Sequence, residues 1–193
     1  AGKPFIKKYD EERELVILLV VDISGSADYG SGENLKAEVI TQLAALIGFS
    51  AIKNNDQVGL LLFTDQVEHF VPPKKGRAHV HRILRDILYF KPKRKGTRLE
   101  VINEHLLGIL KKRSSIFVFS DFMDNDFERS LRHLGKKHDT VAVRVTDWTE
   151  LELPKIGVVD FHDAESGEVV TVDTSDPLVR REYRKKVIEQ REK

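Results

Sequence analysis

The sequence predicts an α/β fold: a doubly wound, mostly parallel sheet with helices on both faces, followed by a C-terminal β-hairpin and helix. Three observations carry this. Residues 15–21 form an unbroken aliphatic run rich in β-branched side chains, the pattern of a strand covered on both sides. Short apolar runs of this kind alternate along the chain with segments of helical apolar spacing. Finally, 193 residues of which 40% are hydrophobic suffice for one domain with a substantial core.

Taken in order, residues 15–21 read as a central parallel strand. Residues 33–54 place Leu35, Val39, Leu43, Leu46, Ile47 and Phe49 at near-helical intervals and end in Asn54-Asn55-Asp56, which predicts a helix packed on the sheet through those side chains. Residues 58–63 are a second aliphatic strand. Residues 67–71, after a Thr64-Asp65-Gln66 turn, read as its hairpin partner at the sheet edge, stopped by Pro72-Pro73. Helical spacing returns at Val80, Ile83, Leu84, Ile87 and Leu88. It returns again at Leu99, Ile102, Leu106 and Leu110, in a helix expected to begin at Thr97. Residues 116–120 and 140–145 are further strands, with a helix between them over about 126–137. The tail breaks the rhythm: residues 156–161 and 168–172 flank the turn Ala164-Glu165-Ser166-Gly167 as a small hairpin, and a charged helix starts near Asp176. Right-handed crossovers restrict such a sheet to a few topologies, with ligands beyond the strand C-termini where strand order reverses.

Composition excludes several functions. Thirty-two basic against thirty-one acidic residues give a net charge of +1, so no overall field favours nucleic acid or an anionic membrane. With no cysteine there are no disulfides or thiolate metal sites, which suits a reducing compartment and makes the cytoplasm the expected location. No apolar run is long enough for a membrane anchor in this chain. The abrupt start at Ala1-Gly2-Lys3-Pro4-Phe5 suggests a fragment of a longer protein. The seven histidines are scattered, read as surface residues, and lack the i, i+4 pairing of a zinc site. Glycines at 25, 30 and 32 fit neither the dinucleotide fingerprint nor the GxxxxGK[ST] phosphate loop. Trp148 and the few tyrosines provide no stacking platform for single-stranded nucleic acid.

The chemistry gathers where strands end. The first strand runs into Asp22-Ile23-Ser24-Gly25-Ser26, which puts one carboxylate and two hydroxyls on a tight turn. Thr97, after the basic loop Lys91-Pro92-Lys93-Arg94-Lys95-Gly96, returns to the same sheet edge when the path is traced, and Asp121 directly follows the strand at 116–120. Two carboxylates and three hydroxyls with no nitrogen or sulfur form a hard-ligand set. Mg2+ fits it best, with Mn2+ and Ca2+ as alternatives. Asp124 and Asp126 extend the acidic cluster and are expected to cap the next helix.

The array Asp22-x-Ser24-x-Ser26, Thr97 and Asp121 resembles the metal-ion-dependent adhesion site of von Willebrand factor A domains. That resemblance implies that Ser24, Ser26 and Thr97 touch the metal, that Asp22 and Asp121 hold its waters, and that a partner's carboxylate completes the coordination. A resemblance covering almost the whole chain is to the bacterial von Willebrand A-like proteins encoded beside MoxR-type AAA+ ATPases, a family of unassigned molecular function. It rests on Gly2-Lys3-Pro4-Phe5, Glu11-Glu12-Arg13-Glu14-Leu15, Asn55-Asp56-Gln57-Val58-Gly59-Leu60, Pro72-Pro73-Lys74-Lys75-Gly76-Arg77, Ser120-Asp121-Phe122 and Val172-Asp173-Thr174. Relatives carry more sequence before this point, so the chain matches their C-terminal two-thirds.

The expected organisation is thus a single von Willebrand factor A-like domain over 1–193, its core at about 13–146 and a C-terminal elaboration at about 147–193. The expected function is non-enzymatic: a metal-dependent, adaptor or chaperone-like module that binds an Asp or Glu of a partner. The resemblance makes a MoxR-type AAA+ ATPase, or a client that it remodels, the expected partner. The alternative is a Mg2+-dependent hydrolase or phosphoryl-transfer enzyme on the same carboxylates. Against it, Ser24 has no His or Lys in its motif, the Gly-x-Ser-x-Gly elbow is absent, and Asp22 lacks the partner acid of an aspartyl-phosphate site. The run Lys91 to Arg98 reads first as a solvated loop; the alternative is that its cations steer an acidic partner toward the metal, in which case neutralising Lys93, Arg94 and Lys95 slows association, and the Lys74 to Arg77 patch falls at the opposite end of the sheet.

Overall fold

The computed structural model describes residues 14–24, 33–94, 96–123, 126–146, 152–162 and 169–191. Its centre is a five-stranded sheet built from β1 (Val16–Asp22), β2 (Gln57–Phe63), β3 (Val67–Lys74), β4 (Ser115–Ser120) and β5 (Asp139–Arg144), in the order β3-β2-β1-β4-β5. The β1–β2, β1–β4 and β4–β5 pairs are parallel, and only the edge strand β3 is antiparallel. β1 lies in the middle because its run is apolar on both faces. Leu18 and Val20 enter one core and Leu19 and Val21 the other, as the period-two geometry of a strand requires.

Each face has its own helix pair. α1 (Glu33–Lys53) and α2 (Arg77–Tyr89) cover one, through Ile40, Ala44, Ala51, Val80, Ile83 and Ile87. α3 (Glu100–Ile109) and α4 (Phe127–Gly135) cover the other, through Val101, Ile102, Leu106 and Leu134. The hairpin of β6 (Val158–His162) and β7 (Val169–Asp173) forms a separate two-stranded sheet, followed by α5 (Pro177–Arg191). The turn expected at 164–167 lies outside the described residues.

Four expectations are corrected. α1 does not pack through all the side chains its spacing suggested: Val39, Leu46 and Phe49 are exposed, whereas small residues, Ala44, Gly48 and Ala51, face inward. They do so because α2 crosses close by; a Cβ on Gly48 would sit 2.8 Å from Val80 Cγ1. Leu35's side chain lies outside the described set. β3 is not stopped by Pro72-Pro73 but continues through them to Lys74. An edge strand tolerates prolines at a bulge, and the pairing does shift register between Val58 and Leu60 of β2, with Gly59 leaving room for Pro73. The helix after the basic loop starts at Glu100, three residues beyond Thr97. Lastly, not all histidines are on the surface: His138 is buried, and His69, His79 and His105 are half-buried.

Candidate metal centre at the strand order reversal

The chain leaves β1 toward β2 on one side and reaches β4 on the other, so the crevice between the C-terminal ends of β1 and β4 is the switch point of the sheet. Parallel register brings Val21 beside Phe119, which sets Asp22 next to Ser120. Ser120 Oγ donates to Asp22 Oδ2 at 2.6 Å, and the Ser24 amide donates to Asp22 Oδ1 at 3.0 Å. Both oxygens of Asp22 are thereby held in a fixed orientation.

Thr97, seventy-three positions away from Ser24 in sequence, donates from Oγ1 to Ser24 Oγ at 2.6 Å. Its loop is pinned from the β2–β3 turn. The Arg98 amide donates to Thr64 O at 3.2 Å, the Arg94 amide to Glu68 Oε1 at 3.2 Å, and Arg94 Nη1 pairs with Asp65 at 3.1 Å. Thr64 is fully buried and its hydroxyl donates to Glu68 Oε1 at 3.1 Å, so the turn that carries these partners is itself anchored. Arg94 is therefore engaged with the protein's own carboxylates rather than free to steer a partner. Lys95 lies outside the described residues, while Lys91, Lys93 and Arg98 are exposed.

Asp121 follows β4 at the same end. Its Oδ1 accepts the Met123 amide at 3.2 Å, and its charge acts on Asp22. Between them Phe122 has a left-handed backbone, φ 56°, uncommon for a bulky side chain. Burial of its ring against Phe127 and the bond from its amide to Ser120 Oγ (3.1 Å) hold it there. The Asp22 carboxyl is pushed above its ordinary value, first by loss of solvation and further by Asp121, against the bonds from Ser120 and Ser24.

Of the five residues predicted as ligands, Asp22, Ser24, Thr97 and Asp121 meet at this end of the sheet, and Ser26 lies outside the described residues. The structure adds Ser120, together with the positioning residues Thr64, Asp65, Glu68 and Arg94. Asp126 occupies the N-cap position of α4 without a side-chain capping bond, its carbonyl accepting the Ser130 amide instead; Asp124 is outside the described residues. Among the described residues no group of three or more His, Asp or Glu side chains is placed to hold a metal ion. An ion here would rest on two carboxylates and hydroxyls. Such a set fits a hard cation, and an Asp22 carboxyl that resists ionising is one whose charge a cation would stabilise.

The fold and site together define a doubly wound α/β protein with an oxygen-lined crevice at its switch point. The chain belongs to the family described as "Protein of unknown function DUF58", matched over residues 1–193. An uncharacterized protein of Mycobacterium bovis and one of Mycobacterium tuberculosis are each 32% identical to it over 183 residues, 93% of this chain. The chain spans 57% of the length of those relatives. Two solved structures share its fold at low identity. An aerotolerance-related membrane protein of Bacteroides fragilis, bearing multiple mutations to serine, has a TM-score of 0.55 at 16% identity, covering 91% of this chain and 87% of that one. The conserved hypothetical protein BatB of Bacteroides thetaiotaomicron has a TM-score of 0.54 at 19% identity, covering 90% and 87%. Among the described residues no helix is long and apolar enough to cross a membrane.

Proposed function

We propose that this chain is a von Willebrand factor A-like binding module that holds one Mg2+ and uses it to grip an acidic side chain of another protein. Ser24, Ser26 and Thr97 would supply hydroxyl ligands, with Asp22 and Asp121 as the charged residues behind them. The observation that carries the reading is the 2.6 Å contact between Thr97 and Ser24, two hydroxyls from distant loops, one of them the residue whose amide orients Asp22. When bound, the ion supplies a directional positive centre for a carboxylate. The protein's own part is to orient donors: Ser120 and the Ser24 amide fix Asp22, and the Thr64 turn fixes the Thr97 loop.

In this reading the ion bridges two proteins and catalyses nothing. The partner is a MoxR-type AAA+ ATPase or a client that it remodels, on the strength of the sequence stretches quoted above, and both act in the cytoplasm. The test is binding of a purified MoxR-type ATPase to the immobilised chain in Mg2+ and in EDTA, with Ser24→Ala as control. Retention in Mg2+ alone, lost in Ser24→Ala, is expected. Equal retention in every condition contradicts recognition through a metal.

A further inference from the structure

At the end of the sheet opposite the metal centre, the last turns of α1 and the first turns of α2 flank an open cavity of about 530 Å3 lined by Phe49, Ile52, Lys53, Arg77 and His81. Phe49 packs edge-on against His81, with ring centroids 5.5 Å apart. A strip of exposed apolar side chains on α1, Val39 and then Leu46 (71% exposed), leads down to Phe49. At 1.5 Å per residue that strip is about 15 Å long. Apolar patches of this sort on an otherwise charged surface mark places where something docks.

The charge around the cavity is one-sided. Residues 39–55 and 69–85 contain no Asp or Glu, although the whole chain is balanced to +1. Lys53 and Arg77 are exposed and make no ion pair among the described residues; Lys75, two positions before Arg77, is already paired with Glu14 at 2.6 Å. The first turn of α2 likewise carries no acidic residue. An apolar floor with an uncompensated cationic rim is complementary to a segment carrying apolar anchors and carboxylates together.

We propose that this groove is a second protein-docking site, which takes an acidic amphipathic segment of a partner. Its apolar residues lie along Leu46 and Phe49, and its carboxylates meet Lys53 and Arg77. A membrane surface fits less well. Polybasic lipid contacts use about four to eight cations, more than the Lys53 and Arg77 that line the cavity, and a concave pocket receives a side chain rather than a flat bilayer. The site is separate from the metal centre and works without it.

Panning a random-peptide phage library against the full chain in EDTA tests this, with the selected peptides then measured as fluorescein conjugates by anisotropy. The expected winners combine Asp or Glu with Leu, Phe or Trp. Their affinity falls about tenfold or more in Lys53→Glu/Arg77→Glu, falls less in Lys53→Gln/Arg77→Gln, and is unchanged in Ser24→Ala. Winners without carboxylates overturn the proposal, as does equal binding to the charge-reversed variant. So does tighter association of the chain with phosphatidylglycerol vesicles than with any selected peptide, or a concentration-dependent dimer that masks the groove. Failure of this experiment leaves the metal reading untouched, because every arm is run without metal.

Discussion

Asp22 is oriented by two donors yet resists ionisation, so holding a carboxylate in place and stabilising the fold oppose each other at one side chain. A carboxyl whose pKa is raised on folding costs stability above that raised value, and the cost vanishes as pH falls below the unfolded value of 3.8. Asp22→Asn keeps both bonds in principle, since the Ser120 hydroxyl can accept as well as donate. The metal-free variant is therefore expected to unfold at a higher urea concentration than metal-free wild type at pH 7, an advantage that disappears in acid, and to gain nothing from added Mg2+. A lower midpoint than wild type at neutral pH would show that burial is not what shifts this group. The histidines act in the opposite window. Burial lowers the pKa of His138, helped by Lys137 and Arg113, and burial alone lowers that of His105. Both are held neutral in the fold, so the stability they permit is present above pH about 6.5 and is lost as pH falls through that value. Urea midpoints measured at pH 7.5 and 5.5 should drop on acidification, and less so in His138→Asn; an unchanged midpoint would mean that neither ring is constrained.

Among the elements, the edge hairpin is the most revealing. Gly59 faces Leu18 Cδ1, Pro73 Cγ and Val71 O, each 3.0 Å from where a Cβ would stand. Being in a strand, Gly59→Ala gains no helix propensity to offset that crowding, so it is expected to cost about 1–3 kcal/mol in denaturant unfolding. A neutral Gly59→Ala would mean that the β3 bulge shifts freely. Strand and helix order was readable from periodicity because both faces of the sheet are buried, which makes aliphatic runs such as 15–21 unmistakable. What escaped was decided between elements. Beside Ile40, Leu43 and Ile47 the inward face of α1 carries small residues, Ala44, Gly48 and Ala51, because α2 lies close, and apolar spacing counts large side chains instead. Ser120 was missed for the same reason. As the last residue of β4 it looks like strand, and only its register against Asp22 gives it a role.

For the whole molecule, the strand order does the decisive work. With β1 between β2 and β4, its C-terminal turn and that of β4 are neighbours, and the Thr97 loop returns to the same end. Crossover rules narrow the order to a few choices without fixing it, and the pinning of that loop by Thr64, Asp65 and Glu68 lies beyond them, since it depends on which turn meets which loop in space. The basic loop illustrates the difference: its sequence reads as a solvated run with steering as the alternative, and neither reading places Arg94 against Asp65. Two ends of one sheet thus carry different chemistry, carboxylates and hydroxyls at one and cations around an apolar cavity at the other.

The most direct test of the central claim is calorimetric titration of Mg2+ into the chain stripped of metal, beside Thr97→Ala and Ser24→Ala. One site per chain is predicted in wild type and none in either variant, with stabilisation of about 2.7 kcal/mol at a hundredfold excess over Kd. Binding of Mg2+ to both variants as tightly as to wild type, or no heat at millimolar Mg2+ in wild type, would contradict a metal held between the β1 turn and the Thr97 loop.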